Sequence, residues 1–235
     1  YSDICDILSD KIKFFDIGCG NGSYFFKLNS YINKNLSSYT GIDKTSKFEW
    51  DSIEKEYSNV NFITDDAVNS DIHLNNHNLI ISQSALEHIK YDEETLENIS
   101  HALAHNNYKS IQIHLVPASH TLFTYLFHGY RQYNLFRLMK IKRKLLKLKN
   151  TRLEIIALGG IQSMLTHLKF ITFPIKFRKK DRRFIETEKY FNECIKSIEK
   201  DSTDKKILSP EFYALIIYHN IEPKLSITKY FNKHK

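Results

Sequence analysis

The stretch "KFFDIGCGNGSYFF" (residues 13–26) sets glycines at three alternate positions, Gly18, Gly20 and Gly22, directly behind a short apolar run. An apolar run that stops at glycine reads as a buried strand, and Phe25, Leu28 and Ile32 behind it fall at helical spacing. Glycine accepts the positive φ angles of a sharp turn and lets a ligand approach the main chain with no Cβ in the way. In an open parallel sheet, ligands gather outside the carboxyl ends of the strands, where this turn would lie. The feature therefore constrains fold and function together: a strand, a glycine turn, a helix, and something bound against the turn.

The alternation continues along the chain. "SYTGID" is a second strand closing on Asp43, "NVNFIT" a third that leads to Asp65 and Asp66, and "NLIISQS" a fourth whose unbroken apolar core fits a strand covered on both faces. "YDEETLENISHAL" reads as a helix with Asp92 as its cap, Glu93 and Glu94 at its positive end, and one apolar stripe of Leu96, Ile99 and Leu103. "SIQIHLVP" is a fifth strand, stopped by Pro117. Residues 118–149 look helical with a break around "HGYRQY". "RLEIIAL" reads as a strand, "IQSMLTHL" and "TEKYFNECIKSI" as helices, and "EFYALIIY" as a last strand. Strand and helix in alternation predict an α/β, Rossmann-like, doubly wound sheet of seven mostly parallel strands with helical additions in the C-terminal half. With no linker in 235 residues, the expectation is a single domain over 1–235.

Composition removes several classes. A hydrophobic share of 42% with 26% charged residues is ordinary for a soluble globular protein, and 7 Gly with 4 Pro excludes a low-complexity chain. No apolar run reaches the length of a membrane span. Cys5, Cys19 and Cys194 form no C-x-x-C or zinc spacing, which points to a reducing, cytoplasmic compartment. The sequence starts at Tyr1 and not at Met, so part of the native N-terminus is expected upstream.

Roughly twenty residues beyond the glycines, Asp43 stands where a carboxylate can accept both hydroxyl protons of a ribose. The dinucleotide fingerprint G-x-G-x-x-G would need glycine at Ser23, and Asp16 would repel a pyrophosphate while favouring a cation. S-adenosylmethionine carries a sulfonium and an ammonium and no phosphate, so it satisfies both conditions. In "FFDIGCGNG", "YTGID", "FITDDA" and "LIISQSALEHI", taken in order, the first half of the chain resembles the class I S-adenosylmethionine-dependent methyltransferases.

That resemblance implies a set of roles. Asp16 with Gly18, Gly20 and Gly22 would hold the methionine end of the cofactor, and Asp43, beside Lys44, the ribose. Asp66, with Asp65 as the alternative and Ala67 next to it, would meet the adenine amine. Ser82, Gln83 and Ser84 would line the cofactor beside the transferred methyl, and the last strand would run antiparallel beside the fifth. The implied cofactor is S-adenosyl-L-methionine, leaving S-adenosyl-L-homocysteine as product.

A hydroxyl acceptor gains from a general base near neutral pKa, which points to histidine. His88 in "SALEHI" is the first candidate, then His120 or His128; the other reading of His88 is packing at the start of the next helix. His114, inside an apolar strand, reads as a hydrogen-bonded core residue. Some quinone O-methyltransferases of the superfamily bind a divalent cation through two glutamates and a histidine around a similar "LEH". Glu87 and His88 match that pattern, but Ser84 stands where the other glutamate would be, so no obligatory metal is expected.

Glu87, Tyr130, Arg131 and Tyr133 are candidate acceptor contacts, because "HGYRQYN" offers stacking surface and polar donors suited to a sugar or phosphorylated acceptor. The chain also loosely resembles bacterial surface-glycan methyltransferases of the capsular polysaccharide type. The resulting expectation is O-methylation of a hydroxyl on a sugar or polysaccharide precursor. The alternatives are an RNA or protein methyltransferase using the basic surface, or a catalytically silent cofactor-binding partner subunit.

The net charge of +7 is local: residues 131–152 hold nine Lys/Arg and no acid. Leu135, Leu138, Met139, Leu145 and Leu146 can share one helical face there. The stripe reads as a solvated helix face, as an anionic-membrane contact through 135–149 (peripheral, at the inner membrane surface), or as an RNA contact. No RNA-binding motif accompanies it, so no nucleic acid is expected. A second cluster, "KFRKKDRRF" (176–184), could extend the patch.

Overall fold

The computed structural model describes residues 2–8, 11–32, 35–74, 76–119, 131–203 and 210–227. After a short helix α1 (Ser2–Leu8) come β1 (Ile12–Ile17), α2 (Ser23–Ile32), β2 (Leu36–Asp43), α3 (Phe48–Glu56) and β3 (Val60–Thr64). A 3-10 helix (Ala67–His73) leads to β4 (Leu79–Gln83), then α4 (Asp92–His105) and β5 (Ser110–Pro117). The C-terminal half adds α5 (Leu135–Leu145), β6 (Thr151–Leu158), α6 (Ile161–His167), α7 (Phe173–Arg178), α8 (Arg182–Ile185), α9 (Thr187–Thr203) and β7 (Phe212–His219).

The seven strands form one sheet in the order β3-β2-β1-β4-β5-β7-β6. The first five pair in parallel, and β7 runs antiparallel between β5 and β6, beside the fifth strand as the resemblance implied. The reason for helices on both faces is visible in β1. Ile12 and Phe14 pack with Phe25, Leu28 and Ile32 of α2, whereas Phe15 and Ile17 join Ile99 and Leu103 of α4. β4 is likewise covered on both sides, with Leu79, Ile80 and Ile81 all buried. The chain winds outward from β1 to β3 and then returns to β4, so the strand order reverses between β1 and β4. Ligands bind at such a switch point.

Two expectations about the helices change. Asp92 does not cap α4: Tyr91 holds the cap position, and the Asp92 carboxyl is buried among Arg131, Tyr133 and Arg137. On α5 the buried seam is Leu138, Ile141 and Leu145, while Leu135, Met139 and Leu146 stay exposed. The basic stripe of α5 meets the acidic first turns of α4. Arg137, Lys140 and Lys144 pair with Glu93, and Lys144 also with Glu97. Part of the charge concentration in 131–152 is therefore a helix–helix complement, which leaves less of it for a membrane.

Beyond β6 the helices α6 to α9 form a cap over the end of the sheet. Asp201 near the end of α9 accepts from the main-chain N–H groups of Gly160 (2.8 Å), Gln162 (3.1 Å) and Ser163 (2.9 Å) and from the Ser163 hydroxyl (2.6 Å). These are the orphan donors at the start of α6, so one carboxylate ties the cap to the exit of β6.

Candidate active site

The three glycines all have positive φ, at 73°, 56° and 79° for Gly18, Gly20 and Gly22, yet they are glycine for different reasons. A Cβ on Gly18 would lie 2.5 Å from the Cβ of Ala85, and one on Gly22 would lie 2.6 Å from the Phe62 ring. A Cβ on Gly20 would meet nothing within 4 Å. Gly18 and Gly22 thus serve packing, and Gly20 alone faces open space where a ligand could lie against the backbone.

The turn is held from two sides. The Gly20 N–H donates to Asp43 Oδ2 at 3.0 Å, and the Trp50 indole N–H donates to the Gly20 carbonyl at 2.9 Å. Trp50 is itself stacked on Phe62, with ring centroids 5.0 Å apart. Trp50, the sole tryptophan, was not among the residues expected in the site; its place seven residues beyond Asp43 carries no motif.

Asp16 is only 3% exposed, and the Tyr39 hydroxyl donates to it at 2.6 Å. Burial raises its pKa to about 6; the Tyr39 hydrogen bond opposes the rise and the charge of nearby Asp43 adds to it. Asp43, half-buried, accepts from the N–H groups of Gly20 and Thr45 and keeps lone pairs for further donors.

Asp65 and Asp66 separate clearly. Asp65 accepts from the Asp66 N–H and the Asn69 amide and contacts His73 Nε2 at 2.8 Å, an arrangement that holds its carboxyl below the usual range. Asp66 accepts one N–H, from Val68, with Lys44 at 3.7 Å, so it retains more capacity for a ligand. Ala67 begins the 3-10 helix that follows.

At the end of β4, Ser82 is fully buried and bonds His114 Nδ1 at 2.8 Å, so its side chain belongs to the core and not to a ligand surface. His114 continues through Gln112 to His219, and burial lowers the pKa of the two histidines to about 3 and about 4. His114 is thus a neutral core residue. Gln83, Ser84 and Glu87 lie on the other side of this segment and line a cavity of about 870 Å³. Because Ala85 abuts Gly18, the cavity and the glycine turn share the wall formed by residues 83–87.

The cavity's opposite walls come from the cap and from β5, β6 and β7. They mix Leu115, Ile171 and Phe212 with Ser163, Thr166 and Ser197. Two buried acids lie in its wall. Glu87 is 1% exposed, its Oε2 has no hydrogen-bond partner among the described residues, and burial lifts its pKa to about 7. Glu211 also rises to about 7 through burial and the charge of Asp201. Glu211, directly ahead of the last apolar strand, was not expected in the site.

Three expected residues move elsewhere. His88 is exposed and does not line the cavity. Tyr133 is fully buried with its hydroxyl on Asp92, and Arg131 donates to Asp92 and to the Lys90 carbonyl; both fix the start of α4 instead of facing the cavity. His120, His128 and Tyr130 lie outside the described residues. Among the described residues, no cluster of three or more His, Cys, Asp or Glu is placed to hold a metal, and no helix is long and apolar enough to cross a membrane.

A family model described as "Methyltransferase domain" matches residues 8–146, more than half of the chain. Among solved structures, the plantazolicin methyltransferase BamL, in complex with a triazolic desmethylPZN analog and SAH, matches with a TM-score of 0.59 at 16% identity, covering 93% of this chain and 81% of that one. The methyltransferase domain of bacterial CtHen1 matches with a TM-score of 0.55 at 14% identity, covering 93% and 94%. The [4+2]-cyclase SpnF matches with a TM-score of 0.54 at 12% identity, covering 93% and 79%. These likenesses are of fold. The comparison with curated proteins finds no match.

Proposed function

The chain belongs to the methyltransferase-domain family and is an S-adenosylmethionine-dependent methyltransferase; we propose that it methylates a hydroxyl on a small or sugar-type acceptor held in the cavity behind Gln83 and Glu87. When bound, S-adenosylmethionine supplies an electrophilic methyl on a sulfonium. In this reading Gly20 leaves room for the cofactor, Asp16 as an anion favours its cationic methionine end, Asp43 accepts from the ribose, and Asp66 accepts from the adenine amine. The lining of hydroxyl and apolar side chains suits an acceptor that carries both hydroxyls and hydrocarbon surface.

The observation that carries the proposal is the buried Oε2 of Glu87, unpartnered at the wall between the glycine turn and the cavity. A carboxylate poised near pH 7 can take the proton of an acceptor hydroxyl as its oxygen attacks. This role replaces that expected of His88. The cap over the cavity limits water and holds the acceptor in line.

Labelled-methyl transfer to nucleotide sugars, glycan fragments and RNA tests the reading. The expected result is labelling of hydroxyl-bearing small acceptors, with Glu87→Gln slowing turnover by about 10²–10⁴ while S-adenosylhomocysteine still binds. Undiminished turnover in that variant removes Glu87 as the base, and label appearing in RNA alone removes the small acceptor.

A further inference from the structure

Residues 173–185 carry an exposed surface that the sheet does not explain and that the cavity explains only at Ile175, Lys176 and Arg183. α7 is the last part of an uninterrupted helical stretch that runs from Ile161 through a π-helical segment (Leu168–Thr172), and α8 adds only four residues with none of them buried. Phe177 is 73% exposed, Phe184 80% and Ile185 63%, and Phe173 is half exposed. Phe173 and Phe177 lie one turn apart with ring centroids at 6.0 Å, so they project together.

Basic residues are interleaved with these side chains. Arg182 pairs with Glu186 and Arg183 with Asp181. Lys176, Arg178, Lys179 and Lys180, by contrast, make no ion pair among the described residues. On α5 the basic residues are partly matched: Arg137, Lys140 and Lys144 meet acids of α4, while Lys142 and Arg143 make no ion pair among the described residues.

Exposed aromatic and aliphatic side chains among unpaired cations need a partner that is apolar at one depth and anionic at another. An anionic bilayer provides both: headgroups neutralise the lysines, and the acyl boundary receives the phenylalanines and Ile185. A second copy of the same face would set four unpaired cations against their own duplicates. A single-stranded nucleic acid would engage the cations and rings, but Ile185 offers no surface for stacking.

We propose that residues 173–185 dock this protein onto anionic lipid bilayers. Ile175, Lys176 and Arg183 of this segment also line the cavity, so docking brings the cavity to the membrane surface. The proposal stands on exposure and charge, and holds whether or not the acceptor assignment above does.

Co-sedimentation of the full chain with vesicles of phosphatidylcholine, with and without phosphatidylglycerol, tests it. Binding is expected only with phosphatidylglycerol, weakening as salt rises. Phe177→Ser with Phe184→Ser, and separately Lys179→Glu with Lys180→Glu, should each reduce partitioning at least about tenfold, with thermal melts showing that the variants are folded. Phe177→Trp keeps an apolar side chain in place, and its emission should shift to the blue on the same vesicles. A chain that stays in the supernatant, that binds both vesicles equally, or whose Phe177→Trp emission is unmoved overturns the proposal. So does a wild-type dimer, or an RNA complex, that the same substitutions disrupt in the absence of vesicle binding.

Discussion

Replacing Asp16 with asparagine should move stability and cofactor affinity in opposite directions, because the buried carboxylate destabilises the empty site and favours a bound cation. Burial lifts its pKa from an ordinary 3.8 to about 6, against the pull of the Tyr39 hydroxyl and with the push of Asp43. A folded pKa above the unfolded one means that its contribution to stability is complete below about pH 3.8 and is lost as pH rises through about 6. A shift of about two units corresponds to about 3 kcal/mol at pH 8. Asparagine keeps an oxygen for the Tyr39 hydroxyl and carries no charge. The ligand-free Asp16→Asn chain should therefore be more stable than the parent by about 1–3 kcal/mol at pH 8, a gap that closes toward pH 4.

Binding has the opposite sign. A cationic ligand favours ionised Asp16, so affinity for S-adenosylhomocysteine, whose ammonium remains, should be level above pH 7 and fall about tenfold per unit below about pH 6. The variant should bind more weakly at pH 8 and lose that slope. Urea melts of the empty chain and calorimetric titrations from pH 5 to 8 read the two effects separately. A variant that is less stable at pH 8, or a parent whose affinity is level down to pH 5, would refute the reasoning.

The glycines should divide as their surroundings do. Gly18→Ala places a methyl 2.5 Å from the Ala85 Cβ at a positive φ and should lower stability by about 2–4 kcal/mol in a urea melt. Gly20→Ala meets open space and should cost only about 1–2 kcal/mol of backbone strain, while calorimetry shows cofactor binding weakened at least about tenfold. Asp92→Asn removes the charge that Arg131 and Arg137 share and should destabilise the fold by about 2–4 kcal/mol; a thermal melt matching that of the parent would deny the cluster its structural role.

What could be read from the amino-acid order follows a physical division. β4 announces itself because a strand covered on both faces is a short unbroken apolar run, β1 because its apolar residues stop at a glycine turn, and α4 because its stripe of Leu96, Ile99 and Leu103 is local. The distinct duties of Gly18, Gly20 and Gly22 are not legible, since the atoms that decide them belong to Ala85, just past β4, and to Phe62 on β3. Asp92 reads as a cap because capping is a local pattern, whereas its partners Arg131, Tyr133 and Arg137 lie far along the chain. The same tertiary pairing draws Arg131 and Tyr133 away from the acceptor. The cavity depends on a cap whose helices carry no motif, so the places of Glu211 and Glu87 in its wall emerge only when β4, β7 and the cap are brought together.

A crystal structure of the chain with S-adenosylhomocysteine tests the assignment of the glycine turn most directly. It should show the ligand lying over Gly20, the ribose hydroxyls within hydrogen-bonding distance of Asp43, and the adenine amine at Asp66. A ligand bound elsewhere, or a turn that stays empty at saturating concentration, would contradict it.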